Sequence, residues 1–188
     1  DKVEAGFQTV LDHGAYIMGP EISALEARLG EWTGVAHNIS CSSGTDALLL
    51  ALMGLELQPG QGVIVPSFTF AASAEVMPVM GAIPIFAEVD KTSFNLDPEK
   101  LPHALAAGKA AGIDIVGIIG VGLFGQPANY TAIGNFAREN GLWLIDDAAQ
   151  SFGATWHGKP VGQLANVTCT SFFPAKPLGA YGDGGAVF

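Results

Sequence analysis

Leu142-Trp143-Leu144-Ile145-Asp146-Asp147-Ala148-Ala149-Gln150 runs from four apolar residues directly into two carboxylates. Four consecutive apolar positions leave no solvent face, so the run reads as a strand covered on both sides, as in a parallel sheet between helical layers. Backwards from it, helix-length and strand-length segments alternate: 129–140 as helix, 114–119 as strand, 98–107 as helix, 82–89 as strand, 71–80 as helix and 62–65 as strand. That alternation predicts an α/β fold whose mostly parallel sheet is sandwiched by helices. Beyond the quoted stretch, 156–160 reads as a hairpin turn, 166–173 as a strand, and Gly185-Ala186-Val187-Phe188 as a strand that has just begun. Nearer the N-terminus, Val3, Phe7, Val10 and Leu11, then Ile22, Leu25, Leu29 and Trp32, recur at helical spacing and predict two amphipathic helices. Residues 46–53 are apolar on almost every side and predict a buried helix.

Lys and Arg total 8 against 18 Asp and Glu, a net charge of -10 that repels a polyanionic backbone and argues against nucleic acid as partner. The apolar runs are far shorter than the ~20 residues of a membrane span, and no basic segment leads into an apolar one at the N-terminus. No membrane association and a cytoplasmic location are therefore expected. Cys41 and Cys169 have no CxxC or Cys/His spacing, so reduced thiols and no metal site are expected. The absence of an initiator Met and of a polar tail after Phe188 suggests a fragment of a longer chain.

Gly120-Val121-Gly122-Leu123-Phe124-Gly125 matches GxGxxG after a strand, with Asp146 at the end of the next one, the arrangement of a dinucleotide-binding domain. In such a domain the helix starts near the second glycine. Here Pro127 would then fall inside its first turns, and Asn129 with Thr131 reads as a later cap. The nicotinamide reading is set aside on that ground, because no helix N-terminus is left to receive a pyrophosphate.

Ligands of open α/β sheets sit at the carboxyl ends of the strands, and four polar groups collect there. Ser42-Ser43-Gly44-Thr45 precedes a helix and is either an anion site or an ordinary N-cap. Asp146-Asp147 is either a solvated turn or a pair of carboxylates sharing a site with a cation or a base. Pro66-Ser67-Phe68-Thr69-Phe70 offers two aromatic rings, for stacking or for core. Lys176 stands between prolines and aromatic residues, where partial desolvation favours a neutral, nucleophilic amine, although a lysine's stem can also pack while its ammonium reaches water. Anion cradle, carboxylate, aromatic ring and lysine together are the parts of a pyridoxal phosphate site.

Ser-Gly-Thr-Asp-Ala-Leu from Ser43, Pro-Ser-Phe-Thr-Phe from Pro66, Ile-Asp-Asp-Ala-Ala-Gln-Ser from Ile145 and Ser-Phe-Phe-Pro-Ala-Lys-Pro-Leu-Gly from Ser171 occur here in a familiar order and spacing. With Tyr16-Ile17-Met18-Gly19-Pro20-Glu21 at the front, the chain resembles the DegT/StrS family of nucleotide-sugar aminotransferases from end to end. It is most similar to the branch that aminates 3-oxo sugars for surface polysaccharides; antibiotic sugars are the other setting.

The resemblance implies a fold-type-I large domain, of which residues 1–188 would be the N-terminal portion. The remaining large-domain elements and a C-terminal small domain would lie outside it. It implies pyridoxal 5'-phosphate as cofactor, an amino-acid donor such as glutamate, a keto nucleotide sugar as acceptor, and a homodimer with its active site between subunits. Carried onto matching residues, Lys176 would be the covalent anchor and proton shuttle. Asp147 would keep the pyridine nitrogen protonated, Gln150 would lie near the ring hydroxyl, and Phe70 would stack on the ring. Gly44, Thr45 and Ser171 would hold the phosphate. Asp146 would not touch the cofactor. His13, His37, His103 and His157 fall at no functional position of the family, and Gly182-Asp183-Gly184-Gly185 would serve to turn the chain. A related sugar dehydratase group carries histidine at the lysine position, and Lys176 argues against it. A non-catalytic sensor of the same fold is the other alternative, opposed by the joint presence of Lys176, Asp147 and Gln150.

Overall fold

The structure, a computed structural model, describes residues 1–188. Its centre is a seven-stranded sheet built from β1 (Ile39–Cys41), β2 (Gly62–Pro66), β3 (Ile83–Ala87), β4 (Ile115–Val121), β5 (Trp143–Asp147), β8 (Val167–Ser171) and β9 (Gly185–Val187), in the order β1-β9-β8-β5-β4-β2-β3. From β3 to β8 every neighbouring pair is parallel, whereas β9 runs antiparallel to both β8 and β1. Two short strands, β6 (Thr155–Trp156) and β7 (Lys159–Pro160), form the expected hairpin apart from the sheet.

Six helices accompany the strands: α1 (Lys2–His13), α2 (Pro20–Thr33), α3 (Gly44–Gly54), α4 (Ala72–Val79), α5 (Leu101–Ala110) and α6 (Tyr130–Glu139). Local signals account for their ends. Asp1 and Glu4 make a capping box at α1, Ser43 caps α3, Pro20 stands in the first turn of α2, and Gly14 and Gly34 close α1 and α2 in left-handed conformation. The segment expected as a helix from residue 98 begins as a 3-10 turn, Pro98–Lys100, capped by Asp97.

Because strand side chains alternate, each central strand divides its residues between two cores. Val63, Val65, Ile119, Val121, Ile145 and Cys169 pack under α3 and α4, while Ile64, Ile118 and Leu144 pack under α5 and α6. The same alternation sends Asp147 to the α3/α4 side and Asp146 to the α5/α6 side, a separation that governs the rest of the molecule.

Two expectations about burial fail. The helix α3 is not buried all round: Ala47, Leu48, Ala51 and Leu52 meet the sheet, but Leu50 and Met53 are 43% and 56% exposed because no layer covers their side. The first helix forms as predicted yet buries no residue; Phe7 meets Tyr181 edge-on at 5.9 Å, and Val3 and Leu11 face outward. No helix is long and apolar enough to cross a membrane. Both cysteines are free, and no group of three or more metal-ligating side chains is assembled.

Candidate functional site

A cavity of about 890 Å³ opens at the carboxyl ends of β2, β4, β5 and β8, and its wall includes Gly44, Thr45, Phe70, Asp147, Gln150, Ser171 and Lys176. All seven residues singled out in the sequence therefore share one cavity, within the volume usual for small-molecule sites.

Its carboxylate end is set by β5. Asp147 is 6% exposed, which overturns the solvated-turn alternative for the Asp pair; Asp146 is 0% exposed. The Ser73 hydroxyl, on α4 and itself 0% exposed, donates to Asp147 Oδ2 at 2.7 Å, and the Ala149 N–H donates to Oδ1 at 3.2 Å. Thr69 Oγ1 lies 3.2 Å from Ser73 Oγ and extends this chain to the cavity wall. Burial pushes the Asp147 carboxyl above the ordinary carboxylate range, while Ser73, Ala149 and the Lys176 charge pull it back. Sequence reasoning missed Ser73. Its only signal is its place three residues after Phe70, in the first turn of α4.

Lys176 lies between Pro174 and Pro177, and its Nζ stands 5.8 Å from the centroid of the Phe70 ring. Gln150 Oε1 accepts from the Phe124 N–H at 2.9 Å, which ties the amide to a residue held at φ 56°. The other aromatic of the 66–70 stretch, Phe68, turns away from Lys176 and clusters with Phe94 and Phe124, 5.7 Å and 6.5 Å between ring centroids.

The opposite end is the start of α3. The Ser42 and Ser43 hydroxyls both donate to Asp46 Oδ2, at 2.5 Å and 2.9 Å, and Ser43 Oγ accepts from the Asp46 N–H. Those two hydroxyls are thus engaged in capping, and an anion here would be met by first-turn N–H groups that no helical carbonyl can accept. The backbone at Gly44 is pressed onto β8: a Cβ there would stand 2.6 Å from Ser171 Cβ and 3.2 Å from its Oγ. Only glycine lets the helix start come this close to the Ser171 hydroxyl. Gly185 packs on the same corner, where a Cβ would meet the Gly44 nitrogen at 2.9 Å; it is already the first residue of β9, so it provides close approach and not the expected turn.

The GxGxxG stretch behaves as the proline argument predicts. β4 ends at Val121, Leu123–Gly125 is a 3-10 turn, and α6 starts only at Tyr130, capped by Asn129 Oδ1 receiving the Ala132 N–H. Thr131 takes no part in that cap; its hydroxyl accepts from Trp156 Nε1 at 2.8 Å.

A carboxylate held by two donors, a lysine amine above an aromatic ring, and a glycine-tight helix start beside a hydroxyl fit the three ends of pyridoxal phosphate: its ring nitrogen, its aldehyde and its phosphate. The sequence profile described as the DegT/DnrJ/EryC1/StrS aminotransferase family matches residues 1–188. The UDP-2-acetamido-2-deoxy-3-oxo-D-glucuronate aminotransferase of Pseudomonas aeruginosa is 48% identical over 188 residues, 100% of this chain and 51% of that protein. A solved DegT DnrJ EryC1 StrS aminotransferase from Brucella abortus superposes with a TM-score of 0.96 at 48% identity, over 98% of this chain and 50% of its own. NtdA from Bacillus subtilis, solved with bound cofactor PMP, gives a TM-score of 0.87 at 32% identity, over 96% of this chain and 39% of its own. The chain thus spans about half the length of the curated relatives it matches.

Proposed function

We propose that this chain, which belongs to the DegT/DnrJ/EryC1/StrS aminotransferase family over its whole length, is the N-terminal portion of the large domain of an aminotransferase. The complete enzyme moves an amino group from an amino acid, glutamate by preference, to a keto nucleotide sugar. The observation that carries this reading is the convergence of Lys176, Asp147, Gln150, Phe70, Gly44, Thr45 and Ser171 on one cavity. A 3-oxo sugar of surface-polysaccharide synthesis is the preferred acceptor, supported by the 48% identity to an enzyme named for a 3-oxo sugar. A cytoplasmic homodimer is the proposed assembly, supported by the exposed apolar segment Tyr16, Ile17 and Met18 beside α1.

Pyridoxal phosphate, when bound, supplies an aldehyde that captures amines and a ring that accepts the electron pair of a carbanion. Each wall residue has a task toward it. Asp147, fixed by Ser73 and Ala149, holds a proton at the ring nitrogen. Gly44, Thr45 and Ser171 bind the phosphate, the first two through helix-start N–H groups. Phe70 covers one ring face and excludes water from it, and Gln150 orients the ring hydroxyl. Lys176 Nζ would hold the cofactor covalently and, as a free amine, would carry a proton from the donor's α-carbon to the cofactor and, in the second half of the reaction, from the cofactor to the acceptor's carbon.

Borohydride reduction of the complete protein with pyridoxal phosphate, followed by peptide mapping, tests the cofactor reading. A label on Lys176 is expected; a label elsewhere, or none, overturns it. A panel of keto nucleotide sugars with glutamate then reads the acceptor, and activity confined to sugars with the keto group at another carbon removes the 3-oxo assignment.

A further inference from the structure

The strand end carries two carboxyl groups, and the cavity uses one. Asp146 lies on the opposite face of β5, beneath α6, and is 0% exposed. Its Oδ1 accepts from the Tyr130 hydroxyl. Its Oδ2 is buried without any partner, and no Lys, Arg or His nitrogen lies within 4.0 Å of either oxygen. The Tyr130 ring reaches this place across β4 because residue 120 is glycine, where a Cβ would stand 3.0 Å from Cε1 of the ring. On the other side, the parallel register pairs Asp146 with Thr168 of β8. Thr168 shares the α5/α6 face, as Cys169 next to it belongs to the other core, and its Oγ1 is a second buried atom without a partner.

An anion at Asp146 would have one donor, no counter-ion and a like charge on the next residue, each of which opposes ionisation in a dry layer. A neutral acid removes the difficulty, since it places no charge in a layer where neither Oδ2 nor the Thr168 hydroxyl of the next strand has a hydrogen-bond partner. Asp147 contrasts on every count: two donors, an open cavity in front of it, and the Lys176 ammonium near enough to favour its charge.

We propose that Asp146 is a neutral, proton-bearing acid, so that the carboxyl pair holds a single negative charge, placed on Asp147. Asp146 is then a positioning residue. It acts through Asp147, whose carboxylate is spared a neighbouring like charge and stays available to the ring nitrogen; this last consequence rests on the proposed function. The titratable groups near Asp146 are Tyr130 from α6 and Asp147 along its own strand, while Cys169, beside Asp147 on the other face, senses both carboxyls. Burial is the largest influence and, with the repulsion of Asp147, outweighs the Tyr130 hydrogen bond, leaving the Asp146 carboxyl up at about 7.

The test is the infrared spectrum of the complete protein about one pH unit below that value, with and without pyridoxal phosphate, for wild type and Asp146→Asn. The expected result is an un-ionised carboxyl C=O band in both states that Asp146→Asn removes, with the pH titration of the bound cofactor's absorption unmoved. Absence of the band, or a cofactor titration displaced to lower pH in Asp146→Asn, overturns the proposal. Should that variant not fold, Tyr130→Phe replaces it: the band is retained and moves to higher frequency as the carbonyl loses its donor, and a missing band again overturns the proposal. A band present in the cofactor-free protein together with no label on Lys176 upholds the neutral Asp146 and removes the proposed function instead.

Discussion

Ser73→Ala isolates the hydrogen bond that holds Asp147. The substitution deletes one oxygen from a residue that is 0% exposed, leaves the α4 backbone a good helix former, and takes away the 2.7 Å donor to Oδ2. A hydrogen bond to a charged group contributes about 1.5–3 kcal/mol, so its loss should disfavour the ionised form by about that amount and push the Asp147 carboxyl further up. The sign follows from which form the donor favours. Ser73 stabilises the ionised carboxylate, its loss makes protonation easier, and a protonated Asp147 no longer holds a proton at the ring nitrogen. As pH falls, transamination should therefore fail earlier in Ser73→Ala than in wild type. The assay is the pH profile of kcat and of the bound cofactor's absorption in the complete enzyme, with Ser73→Thr as the variant that retains a hydroxyl. Superposable acid limbs for Ser73→Ala and wild type would show instead that Asp147 needs only the Ala149 N–H.

The Gly44→Ala variant should bind pyridoxal phosphate about tenfold to a hundredfold more weakly in a fluorescence titration, since its Cβ would stand 2.6 Å from Ser171 Cβ and such overpacking costs about 1–3 kcal/mol. Lys176→Ala should lose the borohydride-fixed label and about 10²–10⁴ in kcat, read by peptide mapping and single-turnover kinetics. Asp146→Asn should change how stability depends on pH. A carboxyl raised from 3.8 to about 7 on folding burdens the native state above about pH 7 and not below about pH 4, by up to about 4 kcal/mol, so urea unfolding should show the variant gaining on wild type as pH rises through that window. Gly117→Ala should lower unfolding free energy by about 1–3 kcal/mol in the same assay, because a Cβ there falls on the Trp143 indole of the neighbouring strand.

Much of the architecture was legible because its causes are local. Apolar runs such as Leu142 to Ile145 have no polar face to turn outward, and Asn129, Asp97 and Ser43 cap the segments that follow them whatever lies across the fold. That seven residues would meet in one cavity was legible for a related reason: they stand at or just past the carboxyl ends of strands or near helix starts, where an α/β sheet places ligands. Burial of α1 and α3 was misjudged because apolar spacing specifies a face and not what covers it.

The alternating strands and helices, the family, and the set of residues gathered at one sheet end can be read from residue order alone. What surrounds each of those residues depends on the folded chain. Ser73 finds Asp147 across 74 positions of chain, Gly44 finds Ser171 across the helix–sheet contact, and Tyr130 finds Asp146 over the bare backbone of Gly120. Side-chain alternation sent the two adjacent aspartates to opposite layers, and the donors present in each layer differ because they come from separate helices. A hydrogen bond or a lost hydration shell depends on distance in space, which the order of residues along β5 does not contain.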